Sequence, residues 1–360
     1  MAIQAVAIRA DASSKIGTGH FMRCFALAEF LKQQDIRVCF VSRELPKHLM
    51  SMLKSRNFEI ASLDNTDNSS TTDNLDHSHW LGASQEYDAQ ATIELLSDTN
   101  WDWLIIDHYA IDFHWESLLR DSVDKIFVID DIADRKHDCD ILLDQNFYSN
   151  MESRYIGKVP EHCRLMLGPN YALLREEFRK LRKQTNPRRG PIKRILVFFG
   201  GVDFHNFTGL TIQILSNIDS YDIHVDVVIG EQHPCSNEIL TACLQHGFHC
   251  HVQTNRMAKL MASSDLSIGA GGSASWERCC LGLPALIASV ADNQIDIALS
   301  LEKIGASIYL GSRKQATKIR IQNCIMDLLN DRQKLEVLSK EAYALVDGRG
   351  VHRACLALGC

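Results

Sequence analysis

Short apolar runs rich in β-branched residues recur along the chain, and stretches of helical periodicity separate them. Apolar runs without polar alternation are typical of parallel strands that helices cover on both faces. Regular alternation of strand and helix indicates the α/β fold class, with two Rossmann-like doubly wound domains. The predicted strands form two sets, at positions 5–10, 38–42, 103–107, 125–130 and 141–144, and at 194–199, 222–229, 249–253, 266–269, 284–289 and 307–310.

The boundary between the two sets falls in a basic stretch, 183–193, that contains Pro187, Gly190 and Pro191. Such a composition is typical of an interdomain linker. We therefore predict an amino-terminal domain at 1–182 and a carboxy-terminal domain at 194–340. Residues 341–360 predict a terminal helix, which in two-domain sheets often crosses back to the first domain. Residues 64–79, rich in Asn, Asp, Ser and Thr, predict a polar loop in solvent.

Composition excludes several function classes. The formal net charge of −7 disfavours general binding to nucleic acid. No apolar run reaches the roughly 18 residues of a membrane span, and we expect no signal peptide. Twelve cysteines without a CxxC pair predict reduced thiols in a cytoplasmic protein. A zinc site is the minority alternative, in a local cluster of Cys235, Cys243, Cys250, His246, His249 and His251.

A glycine-rich turn follows the first predicted strand and leads into a helix. Backbone N–H groups near Gly17 and Gly19 can approach an anion there, and the helix dipole favours negative charge. The turn ends on His20, a side chain suited to proton transfer near neutral pH. Asp11, at the start of the turn, is a candidate for holding the imidazole in one tautomer, although spacing alone does not establish contact. His20 could instead cap the helix or pack at the turn.

Polar residues also follow the third predicted strand of the first set. Asp107, His108 and Tyr109 stand at its carboxyl end, and Asp130 and Asp131 stand at the end of the next strand. Ligands of open α/β sheets bind beyond such strand ends. Tyr109 is therefore a candidate for binding a sugar or positioning water. Each of these residues could equally be a satisfied polar group at a strand end.

The second half carries two glycine turns of its own. Gly200 and Gly201 follow its first strand, and residues 269–275 lie between a later strand and a helix. The second turn offers backbone donors and two hydroxyl groups to a diphosphate. Glu277, in the first helical turn, could accept hydrogen bonds from both hydroxyls of a ribose. Its alternative role is to complement the helix dipole.

Asn293 and Gln294 follow the strand predicted at 284–289, and their amides could donate to phosphate or sugar oxygens. They could also cap the next helix. The chain contains no GxxxxGK[ST] sequence, which excludes a P-loop, and no clean GxGxxG, which disfavours a nicotinamide cofactor. No aspartate pair is placed to bind a metal with a diphosphate. We therefore expect neither an obligatory metal nor a cofactor.

Six ordered motifs together resemble the nucleotide-sugar hydrolase family of pseudaminic acid biosynthesis, the PseG family. Any one of the motifs is weak, but the ordered set is specific and spans roughly residues 5 to 300. The polar stretch at 64–79 is longer than is typical of the family. It could shape the sugar pocket or extend into solvent, and we favour solvent. The motifs lie at 11–24, 106–109, 168–175, 199–203, 275–284 and 291–294.

The resemblance implies a GT-B type fold, similar to that of the MurG transferase, with two Rossmann-like domains facing a cleft. It implies hydrolysis of UDP-2,4-diacetamido-2,4,6-trideoxy-β-L-altropyranose at the anomeric C–O bond, with inversion and without metal. Water takes the place of the acceptor, and the products are UDP and the free sugar. The implied context is the synthesis of a bacterial surface glycan, such as that of flagellin. Its pathway neighbours would be an N-acetyltransferase and a nonulosonic acid synthase.

The resemblance also assigns roles to residues of this chain. His20 matches the base that activates water, and Tyr109 matches a residue that contacts sugar or water. Glu277 matches the carboxylate that holds the ribose, and Asn293 and Gln294 match a polar pair near sugar and phosphate. Asp11 is our own addition, as the partner of His20. The expected substrate-binding residues are Gly17, Gly19, Arg23, Gly200, Gly201, Gly272, Ser273, Ala274, Ser275, Glu277, Asn293 and Gln294.

Two other functions remain open from the sequence. One is a GT-B glycosyltransferase that transfers the sugar from UDP to a sugar or lipid acceptor. The other is a sensor that binds a nucleotide sugar without turning it over. No apolar, basic surface of the kind that binds lipid carriers is evident on the first domain. The sequence fixes neither the oligomeric state nor the stereochemistry of the sugar.

Overall fold

The computed structural model describes residues 3–13, 15–64, 75–218 and 222–360. The chain divides into two compact units. Unit 1 comprises Met1–Asn146, Asn150–Arg175 and Arg349–Cys360, and unit 2 comprises Phe147–Ser149 and Glu176–Gly348. Most of the polar stretch predicted as a solvent loop, residues 65–74, lies outside the described residues.

Unit 1 contains a seven-stranded parallel sheet with helices in the connections between its strands. The strand order is β3-β2-β1-β4-β5-β6-β7, so the direction of winding reverses between β1 and β4. The strands are β1 (Ala5–Ala10), β2 (Arg37–Ser42), β3 (Glu59–Ser62), β4 (Trp101–Asp107), β5 (Val123–Ile129), β6 (Ile141–Asp144) and β7 (Arg164–Leu167). The helices before the second unit are α1 (Gly19–Lys32), α2 (Lys47–Ser55), α3 (Gln85–Leu96) and α4 (Phe113–Leu119).

Burial of the central strands on both faces explains their sequence pattern. All six residues of β1 are buried, and alternate residues belong to different clusters, with Val6 and Ile8 in one and Ala5 and Ala7 in the other. A strand between two helical layers has no solvent face and therefore shows no polar alternation. The edge strands β3 and β7 were not predicted, because their four-residue sequences Glu-Ile-Ala-Ser and Arg-Leu-Met-Leu are short and partly polar.

Unit 2 repeats this architecture with six parallel strands in the order β10-β9-β8-β11-β12-β13. Each of its strands overlaps one that the apolar pattern predicts, so the predicted fold class, two doubly wound α/β sheets, is confirmed. The strands are β8 (Arg194–Phe198), β9 (His224–Ile229), β10 (His249–Val252), β11 (Leu266–Ala270), β12 (Ala285–Ser289) and β13 (Ile308–Ser312). The helices are α5 (Glu176–Arg182), α6 (Phe207–Leu215), α7 (Ser236–His246), α8 (Met257–Ser263), α9 (Ala274–Cys280), α10 (Ile295–Lys303), α11 (Lys318–Asn330) and α12 (Arg332–Leu345).

In open α/β sheets, ligands bind beyond the strand ends at the point where the strand order reverses. In unit 1, the ends of β1 and β4 meet there, with Ala10 opposite Asp107. In unit 2, β8 and β11 meet, with Phe198 opposite Gly269. A Cβ on Gly269 would lie 2.0 Å from the carbonyl oxygen of Phe198, so this position requires glycine. The glycine turns predicted from the sequence follow these strands.

The stretch at 183–193, predicted as a linker, lies in unit 2. Its Arg188 donates hydrogen bonds to the carbonyl oxygens of Ser264, Leu281, Met261 and Ala262. These bonds fasten the stretch to the loops around α8 and α9.

The carboxy-terminal stretch predicted as one helix contains a break. Helix α12 ends at Leu345 in unit 2, and α13 (Gly350–Leu358) belongs to unit 1. There α13 packs against α1, and the indole Nε1 of Trp103 donates to the carbonyl oxygen of Leu358 at 3.0 Å. The last residues therefore complete the core of unit 1.

All twelve cysteines are free thiols. The cysteine and histidine residues considered for zinc lie on α7 and β10 and in the loops beside them. Over the described ranges, no group of three or more His, Cys, Asp or Glu side chains could hold a metal ion. No helix in that part of the chain has both the length and the apolarity that crossing a membrane requires.

Gly350→Ala should destabilise unit 1. A Cβ at this position would lie 2.2 Å from the carbonyl oxygen of Ala172, so α13 would have to shift. Overpacking of this kind costs about 1–3 kcal/mol of unfolding free energy, measurable by urea denaturation. Gly190→Ala is the control, because nothing lies within 4 Å of its Cβ position. Equal stability of the two variants would contradict tight docking of α13.

Candidate functional site

The reversal point of unit 1 brings His20 and Asp107 into contact. His20 is the second residue of α1, and Asp107 is the last residue of β4. Nδ1 of His20 lies 2.6 Å from Oδ1 of Asp107. Arg23, one turn further along α1, donates to both oxygens of the same carboxylate, at 2.6 and 2.7 Å. A second carboxylate, Asp131, accepts from Nη1 of Arg23 at 2.6 Å.

These contacts determine the state of Asp107. Burial alone would raise the pKa of this carboxyl, but the charges of Arg23 and His20 outweigh burial and hold its pKa well below the usual range. A charged carboxylate only accepts hydrogen bonds, so His20 donates to it through Nδ1–H. In the neutral form of the ring the lone pair is then on Nε2, whereas the hydrogen bonds of the ring to described residues are at Nδ1. The side chain of His20 is 11% exposed, and the ring can act as a base.

Asp11 does not contact His20, which corrects our prediction. Its carboxylate is buried and lies 2.9 Å from Nη1 of Arg9 and 3.3 Å from Nε2 of His108. It also accepts the backbone N–H of Arg43 at 2.7 Å. These partners direct Asp11 into the interior of unit 1, and Asp107 takes the place that we expected for it. Asp107 could have been identified as the partner of His20 from the pairing of β1 with β4, which places the end of β4 beside the turn that leads to His20.

Tyr109 lies beside the imidazole, but its hydroxyl points inward. The ring packs edge-on to His20, with 4.5 Å between centroids. Its OH donates to Oδ1 of Asp131, and burial, together with the charge of Asp131, raises the pKa of the phenol well above its usual value. Tyr109 therefore stays protonated, and its ring contacts His20 while its hydroxyl is bonded to Asp131.

Trp80 is a neighbour of this pair that sequence reasoning missed. Its ring stacks on Tyr109 at 5.5 Å between centroids and lies 6.2 Å from the ring of His20. Trp80 directly follows the polar stretch predicted as a solvent loop, so composition gave no reason to place it here. The stacked rings of Trp80 and Tyr109 thus both lie close to the imidazole.

The first glycine turn folds back on itself. The N–H of Gly17 donates to the carbonyl oxygen of Ser13 at 2.8 Å, and Gly17 has a φ of 78° that favours glycine. The hydroxyl of Ser13 accepts from the N–H groups of Lys15 and Ile16. Gly19 is the first residue of α1. This turn places His20 in the first turn of the helix.

In unit 2, the two glycine turns follow β8 and β11. Gly200 adopts a φ of 95°, and the carbonyl oxygen of Gly201 accepts from the N–H of Gly230 at 2.9 Å. Gly272, in the second turn, has a φ of 86°. The amide nitrogen of Gln294 is 3.7 Å from the position that a Cβ on Gly272 would occupy. Gln294 therefore lies against the turn.

The remaining predicted residues of unit 2 differ in exposure. Ser273 is exposed, Ala274 begins α9, and the half-buried Glu277 lies in the first turn of that helix. Ser275 is buried, and its hydroxyl accepts from Arg278 at 3.2 Å. Asn293 is exposed on a single 3-10 turn. The structure thus gathers the residues at 272–277 and Gln294 in one place, while the side chain of Asn293 is at the surface.

Further buried charges line the strand ends of unit 1. Asp130 pairs with Arg135, and Tyr155 donates to the carboxylates of Asp130 and Asp144. Burial, with the nearby charge of Asp131, raises the pKa of Asp144 to about 7. Burial would lower the pKa of His137, but Glu116 and Asp130 raise it to about 9. Every aspartate at these strand ends thus has a specific partner.

Three curated proteins each align with more than three quarters of this chain, whereas no protein-family model matches it. The first is UDP-2,4-diacetamido-2,4,6-trideoxy-β-L-altropyranose hydrolase of Campylobacter jejuni, 28% identical over 305 residues, which covers 84% of this chain and 98% of the relative. Another is the spore coat polysaccharide biosynthesis protein SpsG of Bacillus subtilis, which is 23% identical over 358 residues. This alignment covers 98% of this chain and 97% of the relative. The resemblance predicted from the ordered motifs is therefore confirmed.

Comparison of structures identifies the fold. The crystal structure of MurG from Acinetobacter baumannii aligns with a TM-score of 0.65 and 15% identity, covering 99% of each chain. Identity this low shows the fold alone. The chain thus resembles the altropyranose hydrolase in sequence, and its fold is the two-domain α/β fold of the GT-B glycosyltransferases.

Proposed function

We propose that this protein is a nucleotide-sugar hydrolase. Its substrate is a UDP-linked 2,4-diacetamido-2,4,6-trideoxyhexose, and its products are UDP and the free sugar for nonulosonic acid biosynthesis. The observation that carries the proposal is the contact between His20 and a charged Asp107, which leaves Nε2 of the imidazole to accept a proton. The similarity to the C. jejuni hydrolase supports the choice of substrate.

The base acts on water. Nε2 of His20 takes a proton as the water oxygen attacks the anomeric carbon, and the glycosidic C–O bond breaks with its electron pair going to the departing UDP. Attack opposite the leaving group inverts the anomeric centre. Asp107 stabilises the imidazolium that forms, and Arg23 keeps Asp107 charged and fixed. Gly17 and Gly19 bring the substrate close to the amino end of α1.

Unit 2 binds the uridine diphosphate. Backbone N–H groups at the turn of Gly272, Ser273 and Ala274, with the Gln294 amide beside them, stabilise the charge that builds on the leaving phosphate. Glu277 accepts hydrogen bonds from the ribose hydroxyls. The turn at 200–201 and the exposed Asn293 complete the contacts to phosphate and sugar. The site uses no metal ion.

A glycosyltransferase is the second candidate, because MurG has the same fold. In that case His20 would deprotonate an acceptor hydroxyl instead of water. Both reactions release UDP, but they differ in whether release requires an acceptor.

The decisive experiment follows UDP release from the UDP-linked diacetamido trideoxyhexose in the presence of EDTA and without acceptor. We expect rapid release and one equivalent of free sugar, since water is the nucleophile. Release only after a sugar or lipid acceptor is added would support the transferase. Tight binding without release would support a sensor, and inhibition by EDTA would contradict a reaction without metal.

His20→Asn should abolish most of the turnover while UDP affinity is retained. Loss of a general base typically costs 10²- to 10⁴-fold in rate, and we expect about this loss in kcat. UDP binding, measured by calorimetry, should stay within about twofold, because His20 is in unit 1 and UDP is proposed to bind unit 2. Retained turnover would show that the base is misassigned.

Asp107→Asn should lower kcat by about 10²-fold or more, because an amide no longer fixes the imidazole tautomer. Asp11→Asn is the matched control. Both carboxylates are buried, and each pairs with a buried arginine, Asp107 with Arg23 and Asp11 with Arg9. In either variant the arginine still has a second aspartate as partner, Asp131 for Arg23 and Asp88 for Arg9. The two variants should lose similar stability in thermal unfolding, but only Asp107→Asn should lose most of its turnover. Equal losses of kcat would contradict a specific role for Asp107.

A further inference from the structure

Arg278 is a buried arginine that forms no ion pair with the described residues. It lies on α9 and is 1% exposed. Nη2 donates to the carbonyl oxygen of Ala270 at 2.6 Å and to the hydroxyl of Ser275 at 3.2 Å. Nε and Nη1 are buried and, within the described residues, have no hydrogen-bond partner. Burial lowers the pKa of this guanidinium to about 10, so it still carries its charge at neutral pH.

Other buried arginines of this chain are compensated. In unit 1, Arg9 pairs with Asp11 and Asp88, and Arg23 pairs with Asp107 and Asp131. In unit 2, the half-buried Arg188 has no such pair, but all three of its nitrogens donate to carbonyl oxygens. A buried cation with unfilled donors costs several kcal/mol unless another group compensates it. The charge of the neighbouring Glu277 acts on Arg278, but within the described residues Nε and Nη1 of this guanidinium have no ion-pair or hydrogen-bond partner that would fill them.

The position of Arg278 indicates where that anion binds. Ala270 ends β11 and directly precedes the glycine turn, and Ser275 follows the turn. The guanidinium therefore joins the two ends of the turn at 271–274. Its Nη1 is 3.3 Å from the position that a Cβ on Gly269 would occupy, beside the carbonyl oxygen of Phe198. This is the point where strand order reverses in unit 2.

We propose that Arg278 is a positioning residue for the diphosphate of the nucleotide sugar, whose negative charge offsets the charge of a guanidinium with two unfilled donors. The inference rests on the proposed function, because it takes the phosphate-binding turn as given. By holding the Ala270 carbonyl and the Ser275 hydroxyl, Arg278 fixes the turn with its N–H groups available to phosphate. Its full charge behind the turn strengthens binding and favours departure of the phosphate as C–O cleavage proceeds.

The test compares UDP with uridine, which shares the base and ribose but lacks phosphate. Arg278→Met removes the charge and keeps a long side chain. We expect UDP affinity to fall by about 10- to 100-fold, as for the loss of a charged hydrogen-bonding partner, with uridine affinity within about twofold of wild type. A role only in the overall stability of unit 2 would weaken both ligands alike.

Arg320→Met is the matched control. Arg320 is exposed in unit 2 and also donates to a backbone carbonyl, that of Tyr309 at 2.9 Å, but on the edge strand β13. We expect its ratio of UDP to uridine affinity to equal that of wild type. A similar drop in both variants would indicate a general effect of net charge and overturn the proposal.

Arg278→Lys is a second variant, which tests the same inference if Arg278→Met does not fold. Burial lowers the pKa of a lysine, so a lysine here loses its charge as pH rises. Relative to wild type, UDP affinity of this variant should fall between pH 6 and pH 9, while uridine affinity follows wild type. A pH-independent ratio equal to that of wild type would overturn the inference.

The outcomes separate this inference from the proposed function. If wild-type protein binds UDP more tightly than uridine and the Arg278 variants keep that preference, the role of Arg278 is wrong and the proposed function stands. If wild-type protein binds no UDP, the proposed function fails, and the inference fails with it.

Discussion

The ion pair between Arg23 and Asp107 is the interaction on which the candidate site of unit 1 depends. It joins the first helix to the end of a central strand, and it keeps charged the carboxylate that His20 contacts. A buried aspartate without this arginine would favour its neutral form and could donate a proton to the imidazole. The same pairing of arginine and aspartate recurs at neighbouring strand ends, so the polar edge of this sheet is a connected set of compensated charges.

The sequence predicted the central strands and the fold well, because burial on both faces leaves an unmistakable apolar run. It predicted less well where side-chain direction decides the outcome. Asp11 and Asp107 both follow central strands, yet only Asp107 reaches His20, since Arg9 and His108 hold Asp11 in the interior. Spacing along the chain carries no information on which of two adjacent carboxylates turns toward a helix.

Sequence analysis also misses residues that contact a motif without being part of it. Glycine turns and exposed polar residues can be recognised in a sequence as candidate ligand contacts. Most of the candidates that lie in unit 2, at 272–277 and Gln294, are close together in the structure. Trp80 and Arg278 have no such signal, because an aromatic ring beside a polar stretch and a cation on an apolar helix are ordinary in sequence terms. Their significance depends on neighbours distant in the chain, such as Tyr109 for Trp80 and Ala270 for Arg278.

The return of the final helix to unit 1 has a consequence for synthesis on the ribosome. The Trp103 indole is bonded to Leu358, 255 positions later, so the core of unit 1 lacks a component until α13 has been synthesised. Almost all of unit 2 is one continuous segment and is complete before α13 emerges. Unit 2 can thus finish folding before unit 1, which matures only after α13 has left the ribosome.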